Sequence, residues 1–152
     1  MKYSIILILA VIVTMSSCRD KSQEEQDLLE AYLIEHNITV EPTQSGLYYI
    51  EIEEGPSEQP INGSSVTVEY EGRLIDGEVF DSSEDNTKPF IFQLGAGQVI
   101  RGWEEGVSYM REGGKAQLII PSYLGYGSRE MGSIPEYSTL IFDVELIEVG
   151  NN

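Results

Sequence analysis

The rhythm of hydrophobic and polar positions changes several times along this chain. Residues 5–13 (IILILAVIV) form an unbroken apolar run behind Lys2. As a helix this run is about 13 Å long, against a bilayer core of ~30 Å, so it fits the apolar region of a secretory signal and not a permanent span. Residues 19–27 (RDKSQEEQD) are polar and read as a solvated tether. Leu28, Leu29, Tyr32, Leu33 and Ile38 then recur at three- and four-residue spacing, which predicts an amphipathic helix over residues 26–38 that ends near Asn37. Ser22 and Glu25 have the spacing of a capping box. The apolar stripe of this helix has two outlets, docking on the domain that follows or pairing with a second copy. Pro42 and Gly46 punctuate a short linker.

From residue 46 the period drops to two. Residues 46–53 alternate and break at Gly55-Pro56. Over 65–74, Val66, Val68 and Tyr70 share one face, with Thr67, Glu69 and Glu71 on the other. Asp76-Gly77 is a turn signal. Residues 89–94 (PFIFQL) form a short strand pattern, and 115–120 places Ala116, Leu118 and Ile120 inward. Over 140–146, Leu140, Phe142, Val144 and Leu146 face one way. One helical patch interrupts the strands: Trp103, Val107 and Met110 make a single apolar stripe. Gly102 and Gly106 each weaken that helix by about 1 kcal/mol relative to Ala, so it should be short and held by packing. The expected class is α+β, an antiparallel sheet of about five strands wrapped around one short helix and preceded by the N-terminal amphipathic helix. The expected organisation is a signal peptide over 1–17, a tether and helix over 18–45 and a single domain over 46–150.

Charge removes one class of function. The chain carries 26 Asp and Glu against 9 Lys and Arg, a net charge of −17. It lacks the basic face that nucleic-acid binding requires. The acidic excess is either a solvated surface or a preference for basic clients. Cys18 is the only cysteine, which excludes an intrachain disulfide. It ends the segment Met15-Ser16-Ser17-Cys18, which resembles a bacterial lipobox. That resemblance implies lipidation at Cys18, a membrane anchor and a place in the bacterial cell envelope. Arg19 directly after the cysteine leaves out the acidic inner-membrane retention signal and favours the outer membrane, with the face open.

The remaining chemistry is sparse. His36, the only histidine, reads as a surface residue, so no His-based triad is available. Gly95-Ala96-Gly97 lacks the third glycine of a dinucleotide loop, because Ile100 stands there. Asp81, Ser83 and Asp85 start like a calcium loop but lack its glycine and terminal glutamate. No cofactor and no metal site is expected.

Several stretches occur together in one order: VTVEYEGRL (66–74), GEVFDSS (77–83), KPFIFQLG (88–95), VIRGWEEGV (99–107), Tyr126-Gly127 and TLIFDVEL (139–146). In this order and spacing they resemble an FKBP domain, over about two thirds of the chain. The resemblance implies a peptidyl-prolyl cis/trans isomerase that accelerates X-Pro isomerisation in exported proteins, with Pro-containing polypeptides as clients and macrolides as inhibitors. It places Asp81, Tyr70, Ile100, Tyr126, Phe80 and Phe142 in the catalytic set, and Phe90, Val99, Trp103 and Ile134 in the substrate-binding set. Trp103 would be the floor, Ile100 would offer its N–H to a substrate carbonyl, and Tyr126 its hydroxyl. Ser133 stands where many members carry a larger apolar residue, and Glu136-Tyr137 replaces a Pro and its neighbour. Those departures bear on the pocket rim and on macrolide affinity. A non-catalytic module or chaperone that binds Pro-containing segments is the alternative.

Overall fold

The computed structural model describes residues 20–84 and 88–150. In chain order they form helix α1 (Lys21–Glu35), strands β1 (Tyr48–Glu53), β2 (Ser65–Leu74), β3 (Val79–Ser82) and β4 (Phe90–Gln93), helix α2 (Arg101–Tyr109), β5 (Lys115–Ile120), a 3-10 turn (Ser122–Leu124) and β6 (Leu140–Gly150). All strands pair antiparallel in the order β1-β5-β6-β2-β3, with β4 also on β2. The ten residues of β2 pair with β6 along their whole length. On its other side β2 pairs with β4 through residues 65–68 and with β3 through residues 71–73. Tyr70 falls in the gap between those two partners.

The alternating strands form where the period of two predicts them, and β2 and β5 keep the predicted bounds. The α+β class stands, with six strands in the sheet where about five were expected. The addition is β3, whose sequence places two apolar residues (Val79, Phe80) before two polar ones (Asp81, Ser82). It so hides an alternation that its burial does show, with Val79 and Asp81 exposed, Phe80 half-buried and Ser82 buried.

Period two splits the core. Leu118 and Phe142 are register partners that face α2, while their neighbours Ile119 and Ile141 pair on the opposite face, where α1 lies. Trp103, Val107 and Met110 turn inward as predicted. A Cβ at Gly102 would lie 2.5 Å from an Ile120 carbon, and one at Gly106 would lie 2.6 Å from Leu118. The two glycines therefore let α2 approach β5 more closely than any side chain would. Their cost in helix propensity is set against packing.

The N-terminal segment departs from its reading. Residues 21–27 are not a tether, because α1 starts at Lys21. Its cap is Asp20, whose carboxylate accepts from the Ser22 N–H at 3.2 Å, instead of a Ser22–Glu25 box. Glu25 is buried. Leu29, Tyr32, Leu33 and Ile38 pack on Ile119 and Ile141, so the helix docks on its own domain, while Leu28 stays exposed. His36 is exposed, and its ring stacks on Tyr32 at 3.9 Å. The apolar run, Cys18 and Asp85 lie outside the described residues.

Candidate active site

The site is built at the β2–β3 corner. The Ser83 N–H donates to the Tyr70 carbonyl at 2.9 Å, and the Tyr70 N–H donates to Ser83 Oγ at 3.0 Å. Buried Ser83 thus closes the corner with a pair of bonds that sets Asp81 opposite Tyr70. The Tyr70 hydroxyl donates to Asp81 Oδ2 at 2.6 Å, and Asp81 Oδ1 accepts from the Ser82 N–H at 3.0 Å.

Five rings meet at this corner. Trp103, in the first turn of α2, meets Tyr70 at 5.0 Å and Phe142 at 5.1 Å, each nearly perpendicular. Phe80 meets Phe142 edge-on at 5.5 Å, and Phe90 lies 6.1 Å from Tyr70 and 6.0 Å from Trp103. Edge-to-face packing turns positive ring edges toward negative ring faces and fixes each ring's tilt. Gly72 makes the approach of Phe80 and Phe142 possible, since a Cβ there would lie 2.6 Å from Phe142 and 2.8 Å from Phe80.

The rings enclose a cavity of about 200 Å³ lined by Tyr70, Phe80, Asp81, Phe90, Gln98, Val99, Ile100, Trp103, Tyr126 and Phe142. Nine of the ten residues placed in the site from the sequence are in that lining. Ile134 is not; it is buried in the main core. Gln98, in the lining, and Ser83, behind it, carry no local sequence signal for a site: one is a loop polar residue, the other acts through backbone bonds. A larger cavity of about 630 Å³ lies on the other face of the sheet, lined by Tyr32, Ile38, Arg73 and Gln117 among others. Its one guanidinium, Arg73, is bonded to Asp143.

Polar groups reach the aromatic cavity from two sides. The Ile100 carbonyl caps α2 by accepting from the N–H groups of Trp103 and Glu104, at 3.0 and 3.2 Å. The Ile100 N–H itself makes no hydrogen bond among the described residues. Tyr126 comes from the loop after β5. Burial pushes its phenol above the ordinary value, and the charge of Asp81 pushes it further. Tyr70 is raised by burial first, then by its hydrogen bond to Asp81 and by the charge of that carboxylate. Both hydroxyls therefore stay protonated at neutral pH and can donate. The Gly95-Ala96-Gly97 loop binds no phosphate in this arrangement, because Glu104 already accepts from the N–H groups of Gly95 and Gly97. Among the described residues no group of three or more His, Cys, Asp or Glu could hold a metal.

Comparison with known proteins agrees with this geometry. The sequence model of the FKBP-type peptidyl-prolyl cis-trans isomerases matches residues 56–147. An FK506-binding protein of Neisseria meningitidis serogroup B is 48% identical over 105 residues, which cover 68% of this chain and 96% of that protein. A peptidyl-prolyl cis-trans isomerase structure from Pseudomonas syringae pv. tomato superposes with a TM-score of 0.74 at 32% identity, covering 86% of this chain and 94% of that one. The crystal structure of FkpA from Escherichia coli superposes with a TM-score of 0.73 at 36% identity, covering 86% of this chain and 62% of that one. A matched family pattern, a shared fold and one aromatic cavity converge on the same answer: the chain belongs to the FKBP-type peptidyl-prolyl cis-trans isomerase family.

Proposed function

We propose that the aromatic cavity is where this isomerase turns X-Pro bonds, and that its lining residues divide the work as follows. Rotation about an X-Pro bond breaks no covalent bond. Its barrier of ~18–20 kcal/mol is the loss of amide resonance, which leaves the uncatalysed step at tens to hundreds of seconds. A twisted amide has less charge separation than a planar one. A water-poor apolar cavity therefore favours the transition state over the ground state, provided that the flanking peptide is held.

Val99, Trp103, Phe90 and Phe142 hold the proline ring, with Trp103 as its floor. The unengaged N–H of Ile100 binds the carbonyl on one side, and the Tyr126 hydroxyl binds another. Ile134 supports the Tyr126 loop from the core. A carboxylate offers no proton to a carbonyl oxygen, so Asp81 acts through Tyr70 and through its field. The rotating carbonyl turns toward the positive edges of the Tyr70, Phe80 and Phe142 rings. A thousandfold acceleration needs only about 4 kcal/mol, within reach of several such contacts.

The observation that carries this reading is the Ile100 N–H, which has no hydrogen-bond partner among the described residues, at the rim of a cavity walled by six aromatic residues. Clients are Pro-containing segments of exported proteins, presented to an enzyme that Cys18 anchors by lipid in the outer membrane. Relatives named FK506-binding proteins support macrolide inhibitors for the same cavity. The test is isomerisation of an X-Pro peptide by the full chain in detergent, with and without rapamycin. Acceleration that rapamycin abolishes is expected. A folded protein without acceleration would leave a binding module for Pro-containing segments. The anchor is tested separately by acyl labelling of cells expressing the wild type and Cys18→Ala, with label expected only in the former.

A further inference from the structure

Glu25 lies upstream of the residues that match the family pattern, on a helix that touches no part of the aromatic cavity. It is nonetheless buried, at 7% exposure. Burying a carboxylate is unfavourable unless hydrogen bonds replace its water. Here three do: Oε1 accepts from the Ser122 N–H at 2.6 Å and from the Thr139 hydroxyl at 2.8 Å, and Oε2 accepts from the Ser122 hydroxyl at 2.6 Å. Bonds to an ionised acceptor are about twice as strong as neutral ones.

The two partners of Glu25 stand at the two ends of one loop. Ser122 opens it and Thr139 closes it, immediately before β6. From Ser122 the bonding continues toward the site. The Ser122 carbonyl accepts from the N–H groups of Gly125 and Gly127, both at 2.8 Å, and these bracket Tyr126. The Gly127 carbonyl in turn accepts from the Tyr137 N–H at 2.7 Å, tying the outgoing arm to the returning one. Thr139 stands three residues before Phe142, at the entrance to its strand. One carboxylate thus clamps the roots of both segments that deliver Tyr126 and Phe142 to the cavity. The Lys21–Glu136 ion pair repeats the connection at the rim, but in solvent, where such pairs contribute little.

We propose that Glu25 is a positioning residue of the isomerase: through Ser122 and Thr139 it fixes the loop that carries Tyr126, so that helix α1 sets the enzyme's efficiency and its preference for the residue before proline. This rests on the cavity being the place of turnover. Without the clamp, the loop roots separate and the Tyr126 hydroxyl no longer holds a fixed distance from Ile100 and Trp103.

The test uses the full chain in detergent and X-Pro peptides with Phe, Ala or Glu before proline. Wild-type turnover comes first, since its absence would sink the assignment of the site and not the role of Glu25. With an active wild type, Glu25→Ala is compared with Tyr32→Ala, which loosens the same helix at its packing on Ile119 and Ile141, away from the loop. Glu25→Ala is expected to lower kcat/KM at least tenfold, mainly in kcat, and to flatten the preference among the three peptides. Tyr32→Ala should lower the melting temperature while keeping the preference. If Glu25→Ala is folded and keeps the wild-type kcat/KM and preference, or if both variants lose activity only in step with melting temperature, the proposal fails. Should Glu25→Ala not fold, Ser122→Ala and Thr139→Val each remove one bond from the clamp. A three- to tenfold loss with a changed preference in both upholds it, and wild-type behaviour in both overturns it.

Discussion

The Tyr70 hydroxyl lies 2.6 Å from Asp81 Oδ2, and it reaches that distance because Ser83 folds the β2–β3 corner back onto the Tyr70 backbone. The bond has one donor and one ionised acceptor, so it orients both partners at once: the phenol ring against Trp103 and the carboxylate at the cavity's edge. Removing either partner should cost turnover more than stability, since Asp81 is exposed and its neighbours remain packed. A charged hydrogen bond is worth about 1.5–3 kcal/mol. Tyr70→Phe and Asp81→Val are each expected to lower kcat/KM by about tenfold with a melting temperature within a few degrees of wild type. The double variant should lose little more than either single one, because the two act as a unit. Additive losses in peptide turnover would refute that coupling.

Gly72 gives a sharper test of the cavity's walls. Alanine there puts a carbon 2.6 Å from Phe142 and 2.8 Å from Phe80, and both rings belong to the site. Overpacking of this kind costs about 1–3 kcal/mol. Gly72→Ala should therefore destabilise the fold and also shift the emission of Trp103, the protein's only tryptophan, which Phe142 touches edge-on. Unchanged fluorescence in a folded variant would mean that the rings part without moving the floor.

Gly106 sets two effects of similar size against each other. Alanine gains about 1 kcal/mol of helix propensity over glycine. Its Cβ, however, would lie 2.6 Å from two carbons of Leu118, a side chain with no exposure and so nowhere to retreat. Packing should win. Gly106→Ala is expected to lower stability by up to about 2 kcal/mol net in chemical denaturation, and a stabilised variant would contradict the close contact of α2 with β5.

Tyrosine titration offers a reading that needs no substitution. Burial raises the phenols of Tyr49, to about 12, and of Tyr70 and Tyr126, with Asp81 adding to the last two. A folded pKa above the unfolded value of about 10 means that the native state holds the proton more tightly. The resulting stability is complete below pH 10 and is lost as pH rises toward the folded values. Melting temperatures should show no loss from these groups up to about pH 9.5 and a steep fall above pH 10. Phenolate absorbance should show late-titrating tyrosines in the native protein that join the rest on unfolding.

The sequence made the strands legible wherever alternation runs cleanly. Val66, Val68 and Tyr70 define β2, and Ala116, Leu118 and Ile120 define β5, both with the right bounds. Nine of the ten residues that the sequence suggests for a site line one cavity, because the aromatic ones cluster in recognisable stretches, whereas Ile134 lies in the core. What escaped has a common physical cause, in that its partners lie far along the chain. Glu25 reads as a capping-box partner of Ser22 within the polar stretch RDKSQEEQD, and only Ser122 and Thr139, 97 and 114 positions away, make its burial tolerable. Gly72 has no local signal of its role, which appears only once Phe80 and Phe142 close over it. Short β3 hides its period in the sequence, with two apolar residues before two polar ones.

Ile100 permits a substitution that isolates one atom pair. Its backbone has φ −62° and ψ 152°, and its N–H makes no hydrogen bond among the described residues. Proline prefers φ near −65° and removes the N–H. Ile100→Pro should therefore fit the local backbone, preserve the carbonyl that caps α2 and delete only the donor and part of the side chain. Ile100→Ala deletes the side chain and keeps the donor. If that N–H holds a substrate carbonyl, the proline variant should be about tenfold slower in kcat/KM than the alanine variant, the equivalent of one hydrogen bond of about 1.4 kcal/mol. The two should melt within a few degrees of each other. Equal turnover in both would show that the isomerase relies on its rings and on Tyr126, and that the donor at the mouth of α2 is idle.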